Sequence, residues 1–391
     1  MSNLPTSVEF HEEGPREGFQ MEPKTYPLAD RAALIDALSA SGLKQIQVAS
    51  FVSPRAVPQM ADASELFAAI TKRPGTRYTA LWLNDNGFER ARACEQVDLD
   101  GKLMFYTTEP FSQRNNNCSV AEMRERQLGW LDRYIALGIP VEKAYVITAF
   151  GCNLGGAVPL SVLTDQVRWL VDACADRRVP LPAVYLADTM GWAHPEEIKR
   201  RVGAVRAIVP EAQIGLHLHD TRGVGGANVY AALQMGVRLF DSSVAGLGGC
   251  PFAGHTHGGA AGNICTEDMV FMCQELGIET GIDLEALIEA ARLADDEDAF
   301  ALLPVRADGG GEVMRQARRR PHRLGPEERV FEVELREAIE DLARIAVPLR
   351  IGRVKRIGEG QLGMAFAHRR GAEIDHPFDA AGIGGESDFG L

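Results

Sequence analysis

KAYVITAFGCNLGGAVPLSVLTDQVRWLVDACADRRVPLPAVYLAD, residues 143–188, decides the fold. KAYVITA (143–149) and PAVYLAD (182–188) are short runs of β-branched, aromatic and apolar residues that read as strands. Between them, Leu160 to Ala175 repeats Val162, Val167, Leu170 and Val171 at helical spacing. Two strands joined through a helix need a crossover, so they lie parallel. Working outward, the same alternation recurs at SVEFHE (7–12), KQIQVAS (44–50), RYTALWL (77–83), KLMFYTT (102–108), AQIGLHL (212–218) and VRLFDSS (237–243). Leu28 to Ala40, with Leu34, Ile35 and Leu38, is a further helix. Eight such units in about 250 residues predict a closed (β/α)8 TIM barrel, with a doubly wound open sheet as the alternative.

The chain has 391 residues, 46% hydrophobic and 24% charged, the balance of a globular protein rather than a disordered one. No apolar run approaches the roughly 20 residues of a membrane span. The amino terminus shows neither a secretory nor an organelle-targeting pattern, so a cytoplasmic protein is expected. Seven cysteines, an odd number without paired spacing, point the same way. The formal charge is −13. Residues 1–303 carry 26 basic against 39 acidic side chains, and residues 304–391 carry 15 of each. An acidic body argues against a nucleic-acid partner, and the run RRRPHR (318–323) lacks interleaved aromatics. LLPVRADGGG breaks the pattern near Leu303, so the chain divides into a barrel, 1–303, and a linker with a C-terminal extension, 304–391. ERVFEVELREAIEDLARIAVPL in the extension reads as an amphipathic helix.

The strand C-termini of a parallel barrel form its active face. Three polar clusters stand there: Glu12 to Gln20 after strand one, His217 to Asp220 at strand seven, and Gly246 to Asn263 after strand eight. His217 and His219, two apart on a strand, point to one side and suit one metal ion, with hydrogen-bonded core histidines as the alternative. Arg16 and Glu17 lie between Gly-Pro and Glu-Gly turns, where a fixed cation and a carboxylate face the barrel mouth; an ordinary solvated ion pair is the competing reading. Asn263 can offer an amide oxygen to a metal or stabilise a turn. Cys250, in GGCP, is expected on a mobile glycine-hinged loop, outside packed core, where a thiol can serve as proton donor. The other six cysteines read as structural.

From these residues outward the sequence resembles the 3-hydroxy-3-methylglutaryl-CoA lyases of the DRE-TIM metallolyase superfamily. The resemblance spans nearly all of residues 7–300. It is carried by GPREGFQ (14–20), SFVSPRAVPQMAD (50–62), NNNCS (115–119), LADTMG (186–191), HLHDTRG (217–223) and ALQMGVRLFDSSVAGLGGCPFA (232–253). It implies a divalent cation, Mg or Mn before Zn or Co, and retro-Claisen cleavage of a 3-hydroxyacyl-CoA substrate to acetyl-CoA and a keto acid. The implied metal ligands are Glu17, His217, His219 and Asn263. Arg16 would stabilise the enolate, His217 would take the hydroxyl proton directly or through water, and Cys250 would be the loop thiol. Asp188 matches an acidic position of the family and joins the catalytic set. Gln20, Gln47, Asn84 and Thr189, with Arg16, complete the substrate side. A homo-oligomer, dimer or larger, is expected.

This chain departs from the family pattern in three places. Glu17 stands where the family motif has Asp, and Gln47 where it has Glu at the end of strand two. Cys250 to Asn263 spans thirteen positions against a usual nine or so, which brings in His255 and His257, read as exposed loop histidines. The departures leave the acyl group open, with a citramalyl-CoA-like lyase or a Claisen-type condensing enzyme as neighbouring readings. A non-catalytic barrel acting as an interaction protein is the alternative of another class, and it implies weak or absent divalent binding.

Overall fold

The computed structural model describes residues 4–22, 25–250 and 262–294. All eight predicted strands form: β1 Glu9–Glu12, β2 Gln45–Ser50, β3 Arg77–Leu81, β4 Gly101–Tyr106, β5 Val141–Ile147, β6 Ala183–Asp188, β7 Ile214–Leu218 and β8 Leu239–Ser242. They are parallel and run β3-β2-β1-β8-β7-β6-β5-β4. Each strand thus lies beside its chain neighbour and β1 pairs with β8, as in a (β/α)8 TIM barrel. Only the β3–β4 seam lacks a ladder among the described strands. It is crossed instead by Asp98 N donating to Tyr78 O at 2.9 Å and Lys102 Nζ to Ala80 O at 3.4 Å.

The Leu28–Ala40 helix keeps its predicted bounds, and the helix predicted from Leu160 runs to Arg177. A two-strand hairpin, Gly151–Cys152 with Gly156–Ala157, follows β5 unpredicted. GPREGFQM, read as turns, is instead a helix, Gly14–Met21. Pro15 is tolerated in its first turn, and Gly18 is needed for close packing, since a Cβ there would sit 2.7 Å from Leu247 Cβ. The boundary predicted at 303/304, the extension and both loop histidines lie outside the described residues.

Strand alternation decides what faces what. Phe10, Ile46, Val48, Leu103, Phe105, Val184, Leu216 and Phe240 join the apolar faces of the helices in one core. Phe105, for example, meets Trp169 of the Leu160–Arg177 helix at 5.2 Å between ring centroids. The alternate residues are buried too, but polar: His11, Gln45, Gln47, Thr79, Lys102, Lys143 and Asp241. His11 Nδ1 meets Lys143 Nζ at 2.7 Å and Tyr185 OH at 3.0 Å. Tyr145 OH donates to Asp241 Oδ2 at 2.9 Å, and Lys143 Nζ lies 3.4 Å from Asp241 Oδ1. β1 and β5, like β5 and β8, are not ladder neighbours, so these bonds cross the barrel interior. A space that branched aliphatics usually fill is here held by a polar network.

Candidate active site

His217 leaves the end of β7 and His219 follows it, both facing inward as their spacing predicts. His217 Nδ1 lies 3.2 Å from Asp241 Oδ2, and His219 Nδ1 lies 2.7 Å from the Thr189 carbonyl oxygen. Both partners only accept, so each Nδ1 carries the proton and each Nε2 presents a lone pair. The two Nε2 atoms are 3.1 Å apart. Two lone pairs at that distance repel unless a cation or a proton lies between them, which is how paired metal-binding histidines are oriented. Only Nε2 of His217 faces the site, so ligation and proton acceptance are alternatives for that ring.

Glu17, on the Gly14–Met21 helix, brings Oε1 to 3.5 Å from His219 Nε2 and Oε2 to 3.9 Å from His217 Nε2. Ligand atoms of these three residues fall within 4.8 Å of one another. Burial raises the Glu17 carboxyl, but the Arg16 guanidinium and the two histidines outweigh it and hold it well below the usual carboxylate range. Burial lowers the His217 pKa, yet Glu17 and Asp241 leave it above its ordinary value.

Asn263 joins them through a backbone bridge to His219. Its Nδ2 donates to Leu247 O at 3.1 Å, while its Oδ1 is buried with no hydrogen-bond partner. An orphaned buried acceptor carries a cost that a cation would remove. Gly248, at φ +87°, makes room: a Cβ there would lie 2.8 Å from Glu17 Cγ and 3.0 Å from Asn263 Nδ2. Two imidazole nitrogens, a carboxylate and an amide oxygen fit a divalent cation, and the oxygen share suits Mg²⁺ or Mn²⁺.

Arg16 is fixed by its neighbours. Its Nε donates to Gln47 Oε1, and its Nη2 lies 2.7 Å from Glu13 Oε2 and 3.1 Å from Glu17 Oε2. Cys250 corrects the expectation of a thiol outside packed core. It is 6% exposed and packs with Tyr106, Phe111, Cys118, Met123, Cys152 and Met190. Gly248 and Gly249, with φ of +87° and +117°, bend the chain so that the thiol turns inward.

The remaining expected residues are placed less centrally. Both Asp188 oxygens accept backbone N–H groups, from Trp192 at 2.7 Å and Ala193 at 3.0 Å, so the carboxyl braces the loop after β6. Burial raises it to about 6. Thr189 orients His219 through its carbonyl, and its hydroxyl oxygen accepts from Thr148 N at 3.0 Å. Gln20 Oε1 accepts from Ser50 Oγ at 2.9 Å, and Gln47 is buried against Arg16. Asn84 is exposed and caps the Asp85–Ala93 helix, accepting from Gly87 N at 2.9 Å. Sequence reading assigned no role to Glu13 or Asp241. The signal for Asp241 was its alternation with Phe240 inside VRLFDSS.

The HMGL-like family model matches residues 7–294. The chain belongs to the HMGL-like family. It is 40% identical over 290 residues to the 3-hydroxy-3-isohexenylglutaryl-CoA/hydroxy-methylglutaryl-CoA lyase of Pseudomonas aeruginosa, covering 74% of this chain and 92% of that one. It is 41% identical over 293 residues to the mitochondrial hydroxymethylglutaryl-CoA lyase of Mus musculus, covering 74% and 85%. A solved HMG-CoA lyase of Acinetobacter baumannii, in complex with coenzyme A and 3-methylmalate, superposes with a TM-score of 0.66 at 34% identity, over 77% of this chain and 98% of that one. The HMGL-like signature thus covers the whole described barrel.

Proposed function

We propose that this chain is a divalent-metal-dependent carbon–carbon lyase that cleaves 3-hydroxy-3-methylglutaryl-CoA to acetyl-CoA and acetoacetate. The observation that carries the reading is the convergence of two Nε2 lone pairs with the Glu17 carboxylate and the orphan Asn263 oxygen, directly beside Arg16. The activities of the relatives and the coenzyme A complex support the substrate class.

Glu17, His217, His219 and Asn263 would hold the divalent cation, which would supply positive charge to acidify the tertiary hydroxyl of the substrate. When that proton leaves, the hydroxyl carbon becomes a ketone, the carbon–carbon bond breaks, and its electron pair passes to the thioester enolate. Arg16 stays protonated and is held in place before that charge develops, so it stabilises the enolate oxygen without reorganising. Where His217 Nε2 holds the cation, the proton leaves to water; His217 takes it itself only where Glu17, His219 and Asn263 hold the cation without it. The Cys250 thiol is the candidate donor to the enolate carbon, which completes acetyl-CoA. Asp188 and Thr189 hold the loop that aims His219. The isohexenyl substrate named for the Pseudomonas relative favours a second reading, in which the C3 branch is larger than methyl. A cytoplasmic location is supported by seven cysteines without a disulfide, and a homo-oligomer by the amphipathic pattern of the extension.

The test is acetyl-CoA release from 3-hydroxy-3-methylglutaryl-CoA after EDTA treatment and again after Mg²⁺ or Mn²⁺ is restored, with His217→Ala as control. Release that follows the metal and vanishes in the variant is expected. Metal binding without release moves the reaction to another CoA ester, and no metal binding overturns the reading.

A further inference from the structure

Glu13 is not among the residues that converge on the metal position, yet it is 1% exposed and charged groups surround it. Its Oε2 accepts from Arg16 Nη2 at 2.7 Å, and its Oε1 accepts from Gln47 Nε2 at 3.3 Å. Gln47 in turn accepts from Arg16 Nε through its own oxygen. The three side chains therefore close a ring. Arg16 donates twice, Glu13 accepts twice, and Gln47 donates once and accepts once. Each of these two neighbours of Arg16 stands on a different chain segment: Glu13 follows β1 directly, and Gln47 lies within β2.

We infer that Glu13 is a positioning residue for Arg16, and that the ring requires one carboxylate and one amide but is indifferent to which segment carries which. The inference deepens the proposed lyase reading, on which only its kinetic arm rests. It also gives Gln47 a physical meaning. A carboxylate is not missing at the end of strand two; its place against the guanidinium is taken by Glu13, across the β1–β2 boundary.

The ring sets strict rules for substitution. With Glu13→Gln alone, the new amide oxygen at position 13 can serve Arg16, but its NH₂ group then faces the Gln47 amide, donor against donor. Flipping Gln47 only transfers the conflict to Arg16 Nε. With Gln47→Glu alone, two carboxylates face each other within about 3.5 Å and lose the hydrogen bond between them. With both changes together every bond returns, the one between positions 13 and 47 simply running in the opposite direction. Two separately damaging changes should thus repair each other, which a contact of ordinary bulk would not produce.

The experiment compares wild type, Glu13→Gln, Gln47→Glu and the double variant in two ways. Thermal unfolding, which needs no substrate, is expected to show each single variant melting several degrees lower and the double variant returning close to wild type. Steady-state cleavage of 3-hydroxy-3-methylglutaryl-CoA is expected to show kcat reduced about 100-fold in each single variant, since a displaced group of this kind costs about that much. KM should move little, and kcat should recover to within about tenfold of wild type in the double variant. Additive melting losses, or a single variant with wild-type kcat, overturn the inference. Wild-type protein that leaves this ester intact overturns the proposed substrate instead, and the melting cycle then decides the ring by itself.

Discussion

Asp241 is a single carboxylate with two duties. One oxygen receives Nδ1–H of His217, and the other faces Lys143 and His11, at 3.4 and 3.5 Å. Burial opposes its charge, but Lys143 and the two histidines hold it well below the usual range. It can therefore fix the tautomer and tilt of the His217 ring, proposed as a metal ligand, from a buried position. Asp241→Asn keeps the volume and removes the charge that binds Nδ1–H. We expect Mn²⁺ affinity to fall by about 10–100-fold, as for other groups that orient a ligating histidine; unchanged affinity in a metal titration would show that the ring is held by packing alone. The proposed ligand side chains themselves were legible in the sequence, because HLHD and GN keep them in local patterns. Asp241 and Glu13 were not, because their meaning depends on partners far away in the chain, Gln47 for Glu13, and Lys143 and Tyr145 for Asp241.

Glu12 works one step up in scale, where elements meet. Its Oε1 accepts from Gly14 N and Val244 N, both at 2.8 Å, and its Oε2 lies 2.7 Å from Thr266 Oγ1. It thus ties the end of β1 to the chain leaving β8 and to the Thr266–Glu275 helix. Burial raises its pKa to about 8 against those donors, so the acid is neutral at neutral pH. The Thr266 hydroxyl donates to Glu12 and lies 2.8 Å from Ser242 Oγ, whose own O–H can donate to Thr266 in turn. A carboxyl raised from 4.5 when unfolded stabilises most below about pH 4.5, and that contribution is lost as pH climbs through about 8. Glu12→Gln mimics the neutral acid and cannot ionise. The stability difference between variant and wild type should therefore grow in the variant's favour from pH 5 to 9, by at most about 1.4 kcal/mol per pH unit, in urea unfolding. A parallel pair of profiles would show that Glu12 does not change its charge on folding. At this scale the sequence disclosed strands and long helices well, since their periodicity is local. It hid the Gly14–Met21 helix, because Gly14 and Gly18 discourage helix locally and only the close approach to Leu247 explains Gly18 there.

The whole barrel reads as polar inside and apolar between strands and helices. Alternation within KAYVITA and VRLFDSS contains that information, but it names no inner face until the strand order is known. A slip of one residue in β5 would turn Lys143 into the apolar layer and Val146 out of it, so buried charge enforces register strand by strand. The closing bonds also pair the first four strands with the last four: His11 with Lys143 and Tyr185, Glu12 with Val244, Glu17 with His219. Separating the chain after Gly138 should leave residues 1–138 and 139–391 each without fixed tertiary structure, as judged by near-ultraviolet circular dichroism, and mixing them should restore it. A first half that unfolds cooperatively alone would show that the interior bonds are dispensable. Here the cross-barrel bonds make the halves complementary rather than modular, so a chimaera has to inherit His11, Lys143, Tyr185 and Asp241 as one set or lose the architecture that positions the candidate metal site.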